Sequence, residues 1–105
     1  MPAKLSHYEL SPEAEQDLSN IFDYTETEFG LNQAVTYLND LDHCFVSLME
    51  NPGIGRERLE IRPELFSFVS GSHVVFYRIL SNRIRIVRVL HESRDLPRHF
   101  GDNQI

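Results

Sequence analysis

Residues 71–95 read GSHVVFYRILSNRIRIVRVLHESRD, and the two strand-like runs in this stretch are apolar at nearly every second position on both phases of the alternation. Successive side chains of a strand point to opposite faces of its sheet, so a strand with one wet face alternates apolar and polar residues. Runs that are apolar on both phases belong to strands covered on both sides. With 105 residues, 41% of them hydrophobic, the chain has material for one modest core, and a single domain spanning 1–105 is expected. Either the chain covers both faces of its sheet, or it leaves an apolar face for another molecule.

The segments before residue 65 supply one cover. A short strand over 5–10 ends at Ser11-Pro12, where serine caps free amides and proline suits the first helical position. Ala14, Leu18, Ile21, Phe22, Thr25 and Phe29 then recur at spacings of three and four, and Gly30 closes the helix. A second stripe, Ala34, Leu38, Leu41, Phe45 and Leu48, ends at Asn51-Pro52-Gly53. Nearly equal lengths and a link of two or three residues predict an antiparallel helix hairpin. The stretch NPGIGRERLEIRPE, with two glycines and two prolines, reads as a surface loop. Strands over 65–69, 73–80 and 83–90 follow as a meander with tight links at Ser70-Gly71-Ser72 and Ser81-Asn82. The tail, HESRDLPRHFGDNQI, is polar, and 96–105 reads as flexible.

The architecture expected is α+β, ordered β-α-α-β-β-β, a small antiparallel sheet with the helix hairpin on one face. Val75, Tyr77 and Ile79 then meet the helices. Val74, Phe76, Arg78, Ile86, Arg88 and Leu90 form an open face of the kind that marks a protein-binding site. The register of the last strand rests on the Ser81-Asn82 turn, and a slip of one residue would present Val87 and Val89 instead. The other arrangement is closure of that face by the chain's own tail.

The net charge of -6 is unevenly spread. Residues 1–50 hold one cation, Lys4, against ten carboxylates, and residues 51–105 hold nine arginines against six carboxylates. An acidic chain is repelled by a phosphate polymer, so no direct nucleic-acid binding is expected. The arginines suit carboxylates on an acidic protein partner, or they are ordinary solvated strand residues. No apolar run is long enough for a membrane span, the start MPAKLSHYEL carries no export pattern, and the expected compartment is the cytoplasm. The lone Cys44 has no cysteine partner and sits in an apolar helix stretch, the setting of a buried spectator.

Catalytic constellations fail one by one. His7, His43, His73, His91 and His99 lack metal-ligand spacing, and although His73 and His91 can be cross-strand neighbours, two histidines alone make a weak site, so no metal and no cofactor is expected. PGIGRER has neither the lysine nor the helix start of a phosphate loop. Glu13 and Asp17 fall on the solvent side of the first helix.

The segments LSPEAEQDLSNIFDY, ENPGIGRERLEIRPE, GSHVVFYR and IRIVRVLHESRD, in this order from about His7 to His99, resemble the ParE toxins of bacterial toxin-antitoxin modules. The resemblance implies a RelE-like fold, a non-enzymatic inhibitor of DNA gyrase whose action leads to double-strand breaks, and a cognate ParD-type antitoxin. In such modules the antitoxin's C-terminal segment covers the sheet and adjoining helix surfaces, which would make Val74, Phe76, Arg78, Ile86, Arg88 and Leu90 its contacts. The polar end of the last strand, His91, Glu92, Ser93, Arg94 and Asp95, is expected to face gyrase. The alternatives are a ribosome-dependent messenger-RNA endonuclease of the RelE type, which shares the fold, and a non-toxic interaction module. The RelE-type enzymes use two arginines, lysines near the second helix and a terminal tyrosine. The matching places here hold Val74, Glu92 and Phe100, and the lysines are missing. Such a site has little with which to stabilise a crowded anionic transition state.

Overall fold

The computed structural model describes residues 5–93, so the expectations for Arg94, Asp95, Phe100 and the 96–105 tail lie outside the described residues. The chain forms β1 (His7–Leu10), α1 (Pro12–Phe29), α2 (Leu31–Glu50), a single 3-10 turn (Pro52–Ile54), β2 (Arg56–Glu57), β3 (Phe66–Ser70), β4 (His73–Ile79) and β5 (Arg83–His91). This is the expected α+β order with one short strand added, because the loop after α2 pairs two of its residues with β3. The sheet runs β1-β5-β4-β3-β2. It is mixed rather than wholly antiparallel: the helix hairpin and the β3-β4-β5 meander bring β5 back alongside β1 in the same direction.

Ser11 starts α1 and ties it to the sheet. Its Oγ accepts the Ala14 N–H at 2.9 Å and donates to the Val87 carbonyl at 2.7 Å, while its own N–H donates to the Ile86 carbonyl. The hairpin link is tighter than expected, a single residue, Gly30, whose φ of 94° favours glycine. The main core lies between the hairpin and the sheet. Ile21, Leu41, Phe45 and Leu48 meet Val75, Tyr77, Ile84, Ile86 and Val89, and the Tyr77 hydroxyl donates to the Pro52 carbonyl and accepts the Gly55 N–H. Cys44 is free and buried there, and burial raises its thiol pKa, which keeps it inert.

The β4-β5 register explains the doubled apolar pattern. Phe76 pairs with Arg88 and the next residue, Tyr77, with Ile86, which leaves Val87 as the extra residue of a bulge. The bulge shifts the phase of β5 partway along. Ile84, Ile86 and Val89 therefore all face the helices, while Val87 and Leu90 face the other way.

That other face is not open. Val74, Phe76, Val87 and Leu90 form a second cluster with Leu65, and Ile61 packs against it. The segment over 58–65 turns back across the sheet through bonds from the Arg62 N–H to the Arg58 carbonyl and from the Arg58 N–H to the Leu65 carbonyl. Arg58 crosses the Phe76 ring, with its guanidinium carbon 5.7 Å from the centroid and Nη1 on Ser67 Oγ. The expected open face is thus corrected: Val74, Phe76 and Leu90 are buried by the chain itself, and Ile86 belongs to the helix-side core.

Candidate functional site

β1 ends at Leu10, so from Val87 onward one edge of β5 has no strand beside it. Helix α1 takes its place through one side chain. Asp17 Oδ2 accepts the Val89 N–H at 2.9 Å, and the same carboxylate takes Arg88 Nε and Nη2 at 2.8 and 2.9 Å. The pair is a bidentate fork, with the two side chains 10% and 13% exposed. Two expectations are corrected here. Asp17 is on the buried side of α1, not the solvent side, and Arg88 is spent inside the molecule instead of waiting for a partner's carboxylate. The signal was present: Ala14, Asp17, Ile21 and Thr25 share one buried stripe at helical spacing.

Above this clamp lies a half-open cleft of about 530 Å³, whose walls are α1 on one side and the ends of β4 and β5 on the other. A recess of about 320 Å³ continues it toward the hairpin tip, sharing Tyr24, His73 and His91. Three rings, Tyr37 from α2 and His73 and His91 from the sheet, meet in edge-to-face contacts along the recess, Tyr37 to His73 at 5.4 Å and His73 to His91 at 5.5 Å. The Tyr37 hydroxyl accepts the Ser72 N–H and bonds His73 Nδ1 at 2.6 Å. Gly71, at φ 59°, lets the turn pass the tyrosine, because a Cβ there would lie 2.8 Å from the hydroxyl. Ser93 N–H donates to His91 Nδ1 at 3.1 Å. His91, Glu92 and Ser93 are exposed, and His91 and Ser93 border the cleft.

Burial and then the neighbouring His91 depress the pKa of His73, while Asp17 and Glu92 pull the other way. A histidine with a lowered folded pKa is held neutral by the fold, so its stabilising effect is full above its unfolded value and is lost as pH falls below it. The melting temperature should therefore drop between about pH 7.5 and about pH 5.5, spanning the roughly 6.5 of an unfolded histidine. His73→Gln should flatten that dependence. An identical slope in wild type and variant would show that His73 does not carry it.

The outer face of the sheet is charged at its rim. Glu9 takes Arg83 Nε and Arg85 Nη1, each at 2.6 Å, and these arginines, Arg85 foremost, lower its pKa. Arg78 reaches Glu64 at 3.8 Å and stays partly exposed, the one accessible member of the six residues first assigned to a partner face. Leu59 and Val69, which sequence reasoning did not single out, stand 67% and 63% exposed nearby.

Residues 8–96 match the family model described as the ParE toxin of the type II toxin-antitoxin system parDE. The chain belongs to the ParE toxin family. Toxin ParE1 of Mycobacterium tuberculosis is 42% identical to it over 96 residues, covering 90% of this chain and 98% of the relative. Toxin ParE1 of Caulobacter vibrioides is 39% identical over 94 residues, covering 90% and 97%. Among solved structures, the chromosomal ParDE toxin-antitoxin system from P. aeruginosa superposes with a TM-score of 0.72 at 18% identity, over 85% of this chain and 98% of that one. The toxin-antitoxin complex RelBE2 from Mycobacterium tuberculosis gives 0.61 at 20% identity, over 90% and 98%. At these identities the structures establish the RelE-like fold alone.

In this ParE chain Val74 is buried and Glu92 is an exposed carboxylate. Among the described residues no group of three or more His, Cys, Asp or Glu is arranged to hold a metal ion, and no helix is long and apolar enough to cross a membrane.

Proposed function

We propose that this ParE toxin acts by binding and inhibiting DNA gyrase, without catalysing a reaction, and that a ParD-type antitoxin neutralises it in the cytoplasm. The observation that carries the reading is the family match over residues 8–96, nearly the whole chain. The local chemistry agrees with it. Cleavage of messenger RNA calls for cations around the scissile phosphate, and Val74 and Glu92 supply none. His91, Glu92 and Ser93, at the end of a rigid strand, are the proposed start of the gyrase-facing surface.

The antitoxin meets the outer face of the sheet. Val74, Phe76 and Leu90 form the stiff floor under that face, and the groups in reach are Arg78, Leu59 and Val69. Arg78→Glu should weaken antitoxin binding by roughly three- to tenfold, the scale for reversing a rim charge opposite a carboxylate. Calorimetric titration with the purified antitoxin measures this, and an unchanged affinity removes Arg78 from the interface.

Induction of the chain alone in growing bacteria should arrest growth with broken chromosomes, and co-expression of the antitoxin should restore growth. A culture that grows unimpeded while folded protein accumulates would contradict the toxin reading.

A further inference from the structure

The cleft beside α1 has features that the clamp beneath it does not use. Its α1 wall presents Asn20 and Tyr24, and Phe29 stands at the hairpin end of the adjoining recess. Tyr24 and Phe29 are 64% and 68% exposed. Phe29 continues the apolar spacing of α1 in sequence, yet it is left exposed. Two aromatic rings left in water beside a recess are unusual for a self-contained fold. Opposite them stand Tyr37, His73 and His91, fixed by the bonds described above, so that wall is already organised.

Among the described residues, the charges beside this groove are carboxylates, apart from Arg88 in the clamp. Helices α1 and α2 contain nine carboxylates and not one lysine or arginine. Glu13 and Glu28 lie four residues before Asp17 and four after Tyr24, on the same helical stripe as the groove wall. Glu92 follows His91 at the other rim. Arg88, the one arginine lining the cleft among the described residues, is occupied by Asp17. Arg83 and Arg85 are paired with Glu9, and Arg78 reaches Glu64.

We propose that this groove is the surface by which the toxin holds its target, and that the occupant is a basic segment of gyrase with an apolar side chain seated between Tyr24 and Phe29. This rests on the gyrase reading above and adds to it the place and the chemistry of the contact. The exposed aromatics supply the anchor and the carboxylates at the rims supply sign and orientation. His91 and Ser93 at the cleft mouth join the groove to the strand end already assigned to gyrase.

The test uses full-length toxin carrying Tyr24→Ala, Phe29→Ala, or the double change Glu13→Lys with Glu28→Lys. All four positions are exposed, so each variant should fold, as checked by circular dichroism and a melt. The readouts are the toxin concentration that half-inhibits supercoiling by purified gyrase and, in parallel, affinity for the antitoxin. Each variant should raise the half-inhibiting concentration about tenfold, the scale of a central anchor or of lost charge complementarity, with antitoxin affinity unchanged. Folded variants that inhibit like wild type would overturn the groove assignment while leaving the gyrase reading intact. Loss of antitoxin binding with inhibition preserved would also overturn it, making the antitoxin the occupant. A wild-type protein that leaves gyrase untouched would remove the gyrase reading itself, and this inference with it.

Discussion

Asp17→Ala is expected to destabilise the fold by about 3–5 kcal/mol, the usual cost of removing one partner from a buried ion pair. Two groups lose their acceptor at once: the Arg88 guanidinium and the Val89 N–H, at a place where no strand can replace the carboxylate. For a domain of this size the melting temperature should fall by more than roughly 10 °C. Asp17→Asn should cost less, because its amide oxygen still accepts the Val89 N–H while the charge and half of the fork are lost. A melting temperature for the alanine variant within about 2 °C of wild type would show that the clamp contributes little, as exposed pairs do.

The second large effect concerns the outer face. Phe76 is fully buried between the sheet and the segment over 58–65, with Arg58 across its ring. Phe76→Ala should cost about 3–5 kcal/mol, since it removes buried apolar surface and opens a cavity that its neighbours fill only in part. Val69→Ser, on the same face but exposed, should stay within about 0.5 kcal/mol. Denaturant melts of the free toxin distinguish two arrangements: a partner-covered face predicts two mild effects, a self-covered face one severe and one mild.

This contrast shows what was legible in the sequence. The helices, their hairpin and the meander follow from spacings of three to four and of two, which depend only on local geometry. The parallel pairing of β1 depends on where two helices and three strands return the chain, and no local pattern records that. The bulge at Val87 is likewise a register event, and it converts an apparently two-faced apolar strand into one that serves two cores in turn. The second cover was missed because Ile61 and Leu65, four residues apart, sit in a stretch dominated by prolines, glycines and charges. Asp17 could have been found, since it interrupts the apolar stripe between Ala14 and Ile21. The Tyr37, Ser72 and His73 network could not, because it joins residues 35 and 36 positions apart. The gyrase-facing expectation for His91, Glu92, Ser93, Arg94 and Asp95 came from their place at a strand end, and the cleft that His91 and Ser93 border became visible only with α1 in position.

Supercoiling of relaxed plasmid by purified gyrase, with increasing amounts of antitoxin-free toxin, tests the proposed activity most directly when the same preparation is added to ribosomes carrying messenger RNA. Supercoiling should stop, cleaved plasmid should accumulate, equimolar antitoxin should reverse the inhibition, and the messenger RNA should stay intact. Codon-specific cuts in the messenger RNA, with gyrase working at its full rate, would contradict the assignment and place the chain among the ribosome-dependent endonucleases.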